Sequence, residues 1–196
     1  LRLPAELVRD SALYVSGLLN TDVGGKSVRP PQPAGVAELG YGGIKWNTDS
    51  GKDRYRRGLY VHFQRTTPYP MLMSFDAPDS NVACTRRARS NTALQALNLL
   101  NDEVFFEAAK AMAWRLEKES QGELSDRMNY AFRLALSRDP SDRERQRLAQ
   151  FHDKPLGGLF ADAGDFHKCG QIVTQHCPRK VTDLDGGKNA QRRFRA

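Results

Sequence analysis

The chain has 196 residues, 39% of them hydrophobic and 27% charged, with a formal charge of +7 and a pI near 9.5. That length holds one ordinary domain, or one domain with a poorly folded appendage, and the second reading is the one we favour. Apolar runs such as Leu97–Leu100 and Ala108–Trp114 stop well short of the roughly 20 residues of a membrane-crossing helix, so no membrane span is expected.

The first element reads as a helix, because Leu3-Pro4-Ala5-Glu6-Leu7 places proline in an initial turn, where its missing N–H is harmless. Leu7, Tyr14 and Leu18 follow one helical face, and Val8, Ala12, Val15 and Leu19 the adjoining one. Gly17, Asn20 and Gly24-Gly25 close it. From Gly24 to Lys52 the chain is rich in Gly and Pro, including Pro30-Pro31-Gln32-Pro33, and cannot hold regular structure for long. Tyr41 and Trp46 argue that this long loop is ordered, since disordered linkers seldom carry such rings.

Arg57–Arg65 alternates Leu59, Val61 and Phe63 with polar or amphipathic neighbours, the pattern of a strand buried on one face. Pro68 and Pro70 end it, Met71–Phe75 is an apolar run, and Asp76-Ala77-Pro78-Asp79-Ser80 reads as a turn. Ser90 or Asn91 is placed to cap a helix through Leu94, Leu97 and Leu100. Asn101-Asp102 breaks and restarts it. A second helix carries Phe105, Ala108, Ala109, Met112 and Leu116 on one face, and a third, from Ser125, carries Met128, Phe132, Ala135 and Leu136. Ser141 and Glu144 form a capping box for a fourth.

After Phe151 the apolar periodicity is lost and glycines multiply at Gly157-Gly158, Gly164, Gly170 and Gly186-Gly187. The expected fold class is therefore mainly α. A helical domain over residues 1–151 has a long Gly/Pro-rich loop and one short β element, and residues 152–196 form a low-order tail. A shifted reading frame would account for such a tail, and resequencing the locus tests that.

Several stretches recur in order and together resemble a known family. They are Arg2–Glu6, Ser16–Asn20, Gly24–Val28 with its following prolines, Tyr55–Tyr60, Phe75–Asp79 and Arg86–Leu97. The segment from Leu3 to about Gln150 is similar to the planctomycete-type domain of unknown function DUF1553 (PSD1). That domain is found near the C-terminal end of large, usually secreted proteins that often also carry a cytochrome-c-like domain. The resemblance implies a helical domain, an exported location in the periplasm or cell envelope, and upstream domains of a parent protein as partners; it implies no activity. No Cys-x-x-Cys-His sequence occurs here, so no cofactor is expected in this chain and any haem belongs to a separate domain.

Four sets of side chains invite a chemical reading. His167, Cys169, His176 and Cys177 are metal-capable, but their spacing is not that of a zinc module and no metal is expected. Three cysteines cannot all pair within one chain, so no disulfide framework is expected either. Gly24-Gly25-Lys26-Ser27 lacks the earlier glycine and preceding strand of a phosphate-binding loop. Glu38, Asp49, Asp76 and Asp79 offer carboxylates for glycoside hydrolysis, against the simpler reading that Asp76 caps a turn.

The arginines are the most informative set. Arg86, Arg87 and Arg89 lead into a helix start, and Arg56 and Arg57 form a second group; guanidinium forks and helix N-terminal amides both favour anions. Against that stands a structural role, anchoring Asp76, Asp79 or Asp102. The functional expectation is an accessory binding module for envelope or environmental polysaccharide, with Tyr41 and Trp46 as glycan contacts and the arginines on anionic groups. The alternative is part of a hydrolytic or redox-coupled enzyme completed by upstream domains. Nucleic acid suits the charge, but no recognisable module is present, so it is not the expected partner.

Overall fold

A computed structural model describes residues 2–40, 45–120 and 122–152. The low-order tail expected over 152–196 lies outside these residues except for His152, as do Tyr41, His167, Cys169, His176 and Cys177. The architecture is helical: α1 (Ala5–Ser16), α2 (Pro70–Ser74), α3 (Ala93–Asn101), α4 (Glu103–Glu119), α5 (Leu124–Leu136) and α6 (Asp142–His152), with short 3₁₀ turns at Ala37–Leu39, Gly51–Tyr55 and Gly58–Tyr60. Among the described residues no helix is long and apolar enough to cross a membrane.

α1 starts where the proline signal places it. It stops at Gly17, whose φ of 81° is the left-handed conformation that glycine adopts without strain. The amide of Leu18 donates to the Leu13 carbonyl at 2.9 Å and that of Gly17 to Tyr14 at 3.1 Å, a Schellman closure that buries Leu18 against Leu13. The buried face differs from the expected one. Leu7 and Tyr14 are exposed, while Ala5, Arg9, Leu13 and Ser16 point inward with Asp10 beside them. Val8 and Ala12 flank this face as expected.

α1 packs along α4, and two apolar clusters fill the contact. Toward the start of α1, Ala5 meets Tyr69, Met71, Leu72, Phe75 and Phe105, with Val61 and Trp46 alongside. Toward its end, Leu13 and Leu18 meet Tyr55, Val104 and Ala111. The apolar run at Met71–Phe75 is thus the short helix α2, begun by Pro70 at its first position, and it fills the core.

The strand expected over Arg57–Arg65 does not form. Gly58–Tyr60 is a 3₁₀ turn, Leu59 is exposed, and among the described residues the β pairing is limited to two isolated parallel bridges, Asn20 with Arg56 and Val28 with Val61. Two physical reasons oppose a strand. Gly58 is pressed against α1 so closely that an added Cβ would lie 3.0 Å from the Glu6 Cα and carbonyl oxygen. The partner segment after Val28 runs into Pro30-Pro31, which lack the amides a ladder requires.

The helical half follows its sequence signals more closely. Asp102 ends α3 and caps α4 through the Val104 amide at 2.9 Å, and Phe105 and Ala108 are buried with Val104 and Ala111. Thr92, rather than Ser90 or Asn91, caps α3 in a reciprocal box with Gln95. Ser141 and Glu144 close the box at the start of α6: the Ser141 amide donates to Oε2 at 2.8 Å and the Glu144 amide to Oγ at 3.4 Å.

Candidate functional site

The two arginine groups end in different environments. Arg56 is buried, and its guanidinium donates to the carbonyls of Lys26 (2.8 Å), Asp22 (3.3 Å) and Gly24 while lying 3.9 Å from the Tyr60 ring centroid. Gly24 and Gly25, at φ of 82° and 88°, turn the loop so that these carbonyls surround the cation. A phosphate loop would aim amides inward, so Gly24–Ser27 has the opposite polarity. Arg57 is half-buried at the start of the following 3₁₀ turn.

Arg86, Arg87 and Arg89 lie together in an exposed, irregular segment that leads into α3. Arg87 Nη1 donates to both Glu6 carboxylate oxygens, at 2.9 and 3.0 Å, which ties the segment to α1. Arg86 and Arg89 have no hydrogen bond or ion pair among the described residues, so their charges face solvent. None of the three meets the aspartates that a structural anchoring role required. Asp76 is held by Ser90, Asp79 by Asn81, and Asp102 by the Val104 amide.

A polar knot fixes where the segment joins α3. The Ser90 amide donates to Asp76 Oδ2 at 2.6 Å and Ser90 Oγ to Oδ1 at 2.8 Å. The Ser90 amide, then its hydroxyl, hold the Asp76 carboxyl below the usual carboxylate range. Gln95, buried beneath, donates to Asp76 Oδ2 (3.4 Å) and Ser90 Oγ (3.2 Å) and accepts from Arg2. A shallow groove beside the knot is lined by Arg2, Leu3, Phe75, Asp76, Arg87 and Arg89. It is no larger than a single water and encloses no substrate.

Trp46 occupies a structural position. Its indole N–H donates to the Pro30 carbonyl at 2.7 Å, and its ring stacks on Tyr69, with centroids 6.0 Å apart and planes 4° from parallel. One ring face is therefore already covered. Asp49 accepts the Arg29 amide at 2.6 Å, so three of the four candidate carboxylates are engaged in stabilising turns or loops. Among the described residues no group of three or more His, Cys, Asp or Glu side chains is placed to hold a metal ion.

Sequence reasoning missed two features. Arg9, entirely buried on α1, donates to the Arg56 carbonyl at 2.6 Å and the Arg54 carbonyl at 2.9 Å, and burial lowers its pKa. The signal was the Ala5–Arg9–Leu13 spacing, hidden because a charge stands in the middle of it. The second is Ser27 Oγ, 3.4 Å from His62 Nδ1, with the imidazole pKa lowered by burial and by Arg29. These residues are 35 apart in sequence and only the Val28–Val61 bridge brings them together.

No curated protein and no solved structure matches this chain. A family model does, over residues 1–152, and its description is a protein of unknown function. The matched span takes in every described helix and the whole arginine segment, so the chain belongs to the PSD1 family, DUF1553.

Proposed function

We propose that this chain is a non-catalytic binding module of an exported multidomain protein, and that it engages anionic polysaccharide through Arg86 and Arg89, with Arg87 holding their segment to α1. The observation that carries this reading is the state of Arg86 and Arg89: exposed, without an acidic partner among the described residues, on a segment pinned at one side by Arg87–Glu6 and at its end by Ser90–Asp76. Guanidinium groups held this way present planar donor forks to carboxylate or sulfate without first breaking an internal ion pair. Trp46, bonded to the Pro30 carbonyl and stacked on Tyr69, is part of a packed loop rather than a free stacking platform.

The test is retention on immobilised polygalacturonate, heparin and duplex DNA across a salt gradient. The module reading predicts retention on one or both glycans at salt concentrations that release it from duplex. Steeper and tighter retention on duplex would replace it with nucleic-acid binding.

A second reading, a hydrolytic domain completed by upstream parts, is favoured by the Ser27–His62 pair. A neutral imidazole beside a hydroxyl is the start of a nucleophilic dyad. Covalent labelling of Ser27 by a fluorophosphonate, lost in His62→Ala, would support this reading, and absence of labelling in the parent protein would remove it.

A further inference from the structure

We propose that the polar face around the Val28–Val61 bridge is an oxyanion site, at which Arg29, His62 and the Ser27 hydroxyl together hold one group of the sulfate or phosphate-ester class. This site uses none of the arginines that lead into α3 and stands independently of the polysaccharide reading. It gives the Ser27–His62 pair a role that needs no covalent step.

The register of the bridge builds the face. The Val28 amide donates to the Tyr60 carbonyl at 2.8 Å and the His62 amide to the Val28 carbonyl at 2.7 Å, the parallel pattern. Val28 and Val61 are buried on one side. Side chains alternate along extended backbone, so Ser27, Arg29, Tyr60 and His62 take the other side, with Arg29 opposite His62 and Ser27 opposite Tyr60. The Ser27 hydroxyl lies 3.4 Å from His62 Nδ1 across the diagonal. Trp46 walls one flank, its ring centroid 6.2 Å from that of His62.

The charges around this face leave one cation open. The Arg29 guanidinium makes no hydrogen bond or ion pair among the described residues. The neighbouring acids are committed: Asp49 Oδ2 accepts the Arg29 backbone amide at 2.6 Å, and Lys26 Nζ lies 3.7 Å from Asp49 Oδ1 and 3.6 Å from Asp53. Arg56, stacked on the Tyr60 ring, is turned to the carbonyls of Asp22, Gly24 and Lys26. An open guanidinium beside an imidazole repels a metal ion, whereas it offers an oxyanion a charge-assisted fork that the Ser27 hydroxyl completes.

Binding here is linked to protons. Burial, and then Arg29, lower the His62 pKa, so the imidazole is neutral at pH 7. A bound dianion favours the imidazolium, so binding takes up a proton. Affinity therefore rises as pH falls, by at most about tenfold per pH unit for one proton.

Proton NMR of the four histidines in the full 196-residue chain tests the proposal, with pH titrations in sodium sulfate and in sodium chloride of equal ionic strength. His62→Gln identifies the resonance. We expect sulfate to raise the His62 midpoint by about one pH unit, a tenfold preference for the protonated site, and to move the other histidines less. Arg29→Gln should raise the midpoint in chloride, because a neighbouring cation is removed, and should abolish the response to sulfate. Arg29→Lys should keep part of that response, and the double variant Arg86→Gln, Arg89→Gln all of it. A midpoint indifferent to sulfate, or a response that survives Arg29→Gln, would overturn the proposal. So would a response lost in the double variant, which would place the anion on the segment before α3. A heparin disaccharide that binds more tightly than sulfate would assign the group to a glycan and equal binding would assign it to a free ion; both outcomes uphold the site.

Discussion

The guanidinium of Arg9, wholly buried on α1, donates to the carbonyl oxygen of Arg56 at 2.6 Å. A second bond reaches the Arg54 carbonyl at 2.9 Å, and Asp10 lies 3.9 Å away as counter-charge. One side chain thereby satisfies two carbonyls of a segment that has no ladder of its own. Arg9→Met removes the donor fork and leaves those carbonyls unpaired in the interior, together with Asp10, whose pKa burial already raises. We expect a loss of about 3 kcal/mol in urea unfolding of the full chain, with Arg9→Lys recovering less than half. A loss below about 1 kcal/mol would show that water replaces the fork readily.

Gly58 is the contact at which the 3₁₀ turn meets α1. Its amide donates to Asp10 Oδ1 at 2.6 Å, and an added methyl would stand 3.0 Å from the Glu6 Cα and carbonyl oxygen, which are backbone atoms and cannot rotate away. Gly58→Ala should therefore destabilise by about 1–3 kcal/mol through overpacking, although its φ is unexceptional. An alanine variant as stable as the parent would mean that the turn can slide along α1.

Asp76 gives the start of α3 a pH dependence. Its carboxyl is held below the usual range, first by the Ser90 amide and then by the Ser90 hydroxyl. A carboxyl pKa lower in the folded than the unfolded chain contributes stability that is fully present above the unfolded value, about 4. That stability is lost as pH falls through the folded pKa. The Ser90 amide resonance should thus hold its position from neutrality to about pH 4 and shift only below it. In Asp76→Ala the amide should lose its exchange protection at every pH, with α4 unaffected.

These relationships explain which parts were legible in the sequence. The helices at Ala93–Asn101, Glu103–Glu119 and Asp142–His152 were readable because their caps, Asp102 and Ser141 with Glu144, act on amides within three residues. The α1 face was misassigned because Arg9 and Asp10 occupy positions that periodicity reserves for apolar side chains. The strand at Arg57–Arg65 was misread because alternation reports side-chain polarity, not the close approach of Gly58 to Glu6 or the missing amides of Pro30 and Pro31. The arginine cluster was visible as composition. That Arg87 is paired with a residue 81 positions away while Arg86 and Arg89 stay open depends on how α1 and α3 pack, which no local pattern reports.

The central claim is that the open arginines bind anions. Calorimetric titration of sodium polygalacturonate into the chain and into the double variant Arg86→Gln, Arg89→Gln tests it most directly. The account predicts saturable binding by the parent and at least a tenfold weaker affinity for the variant, about the 1.4 kcal/mol of one charge-assisted hydrogen bond. Arg57→Gln, on the other arginine group, should bind like the parent. Equal affinity in parent and double variant would contradict the account and move the anion site away from the segment that leads into α3.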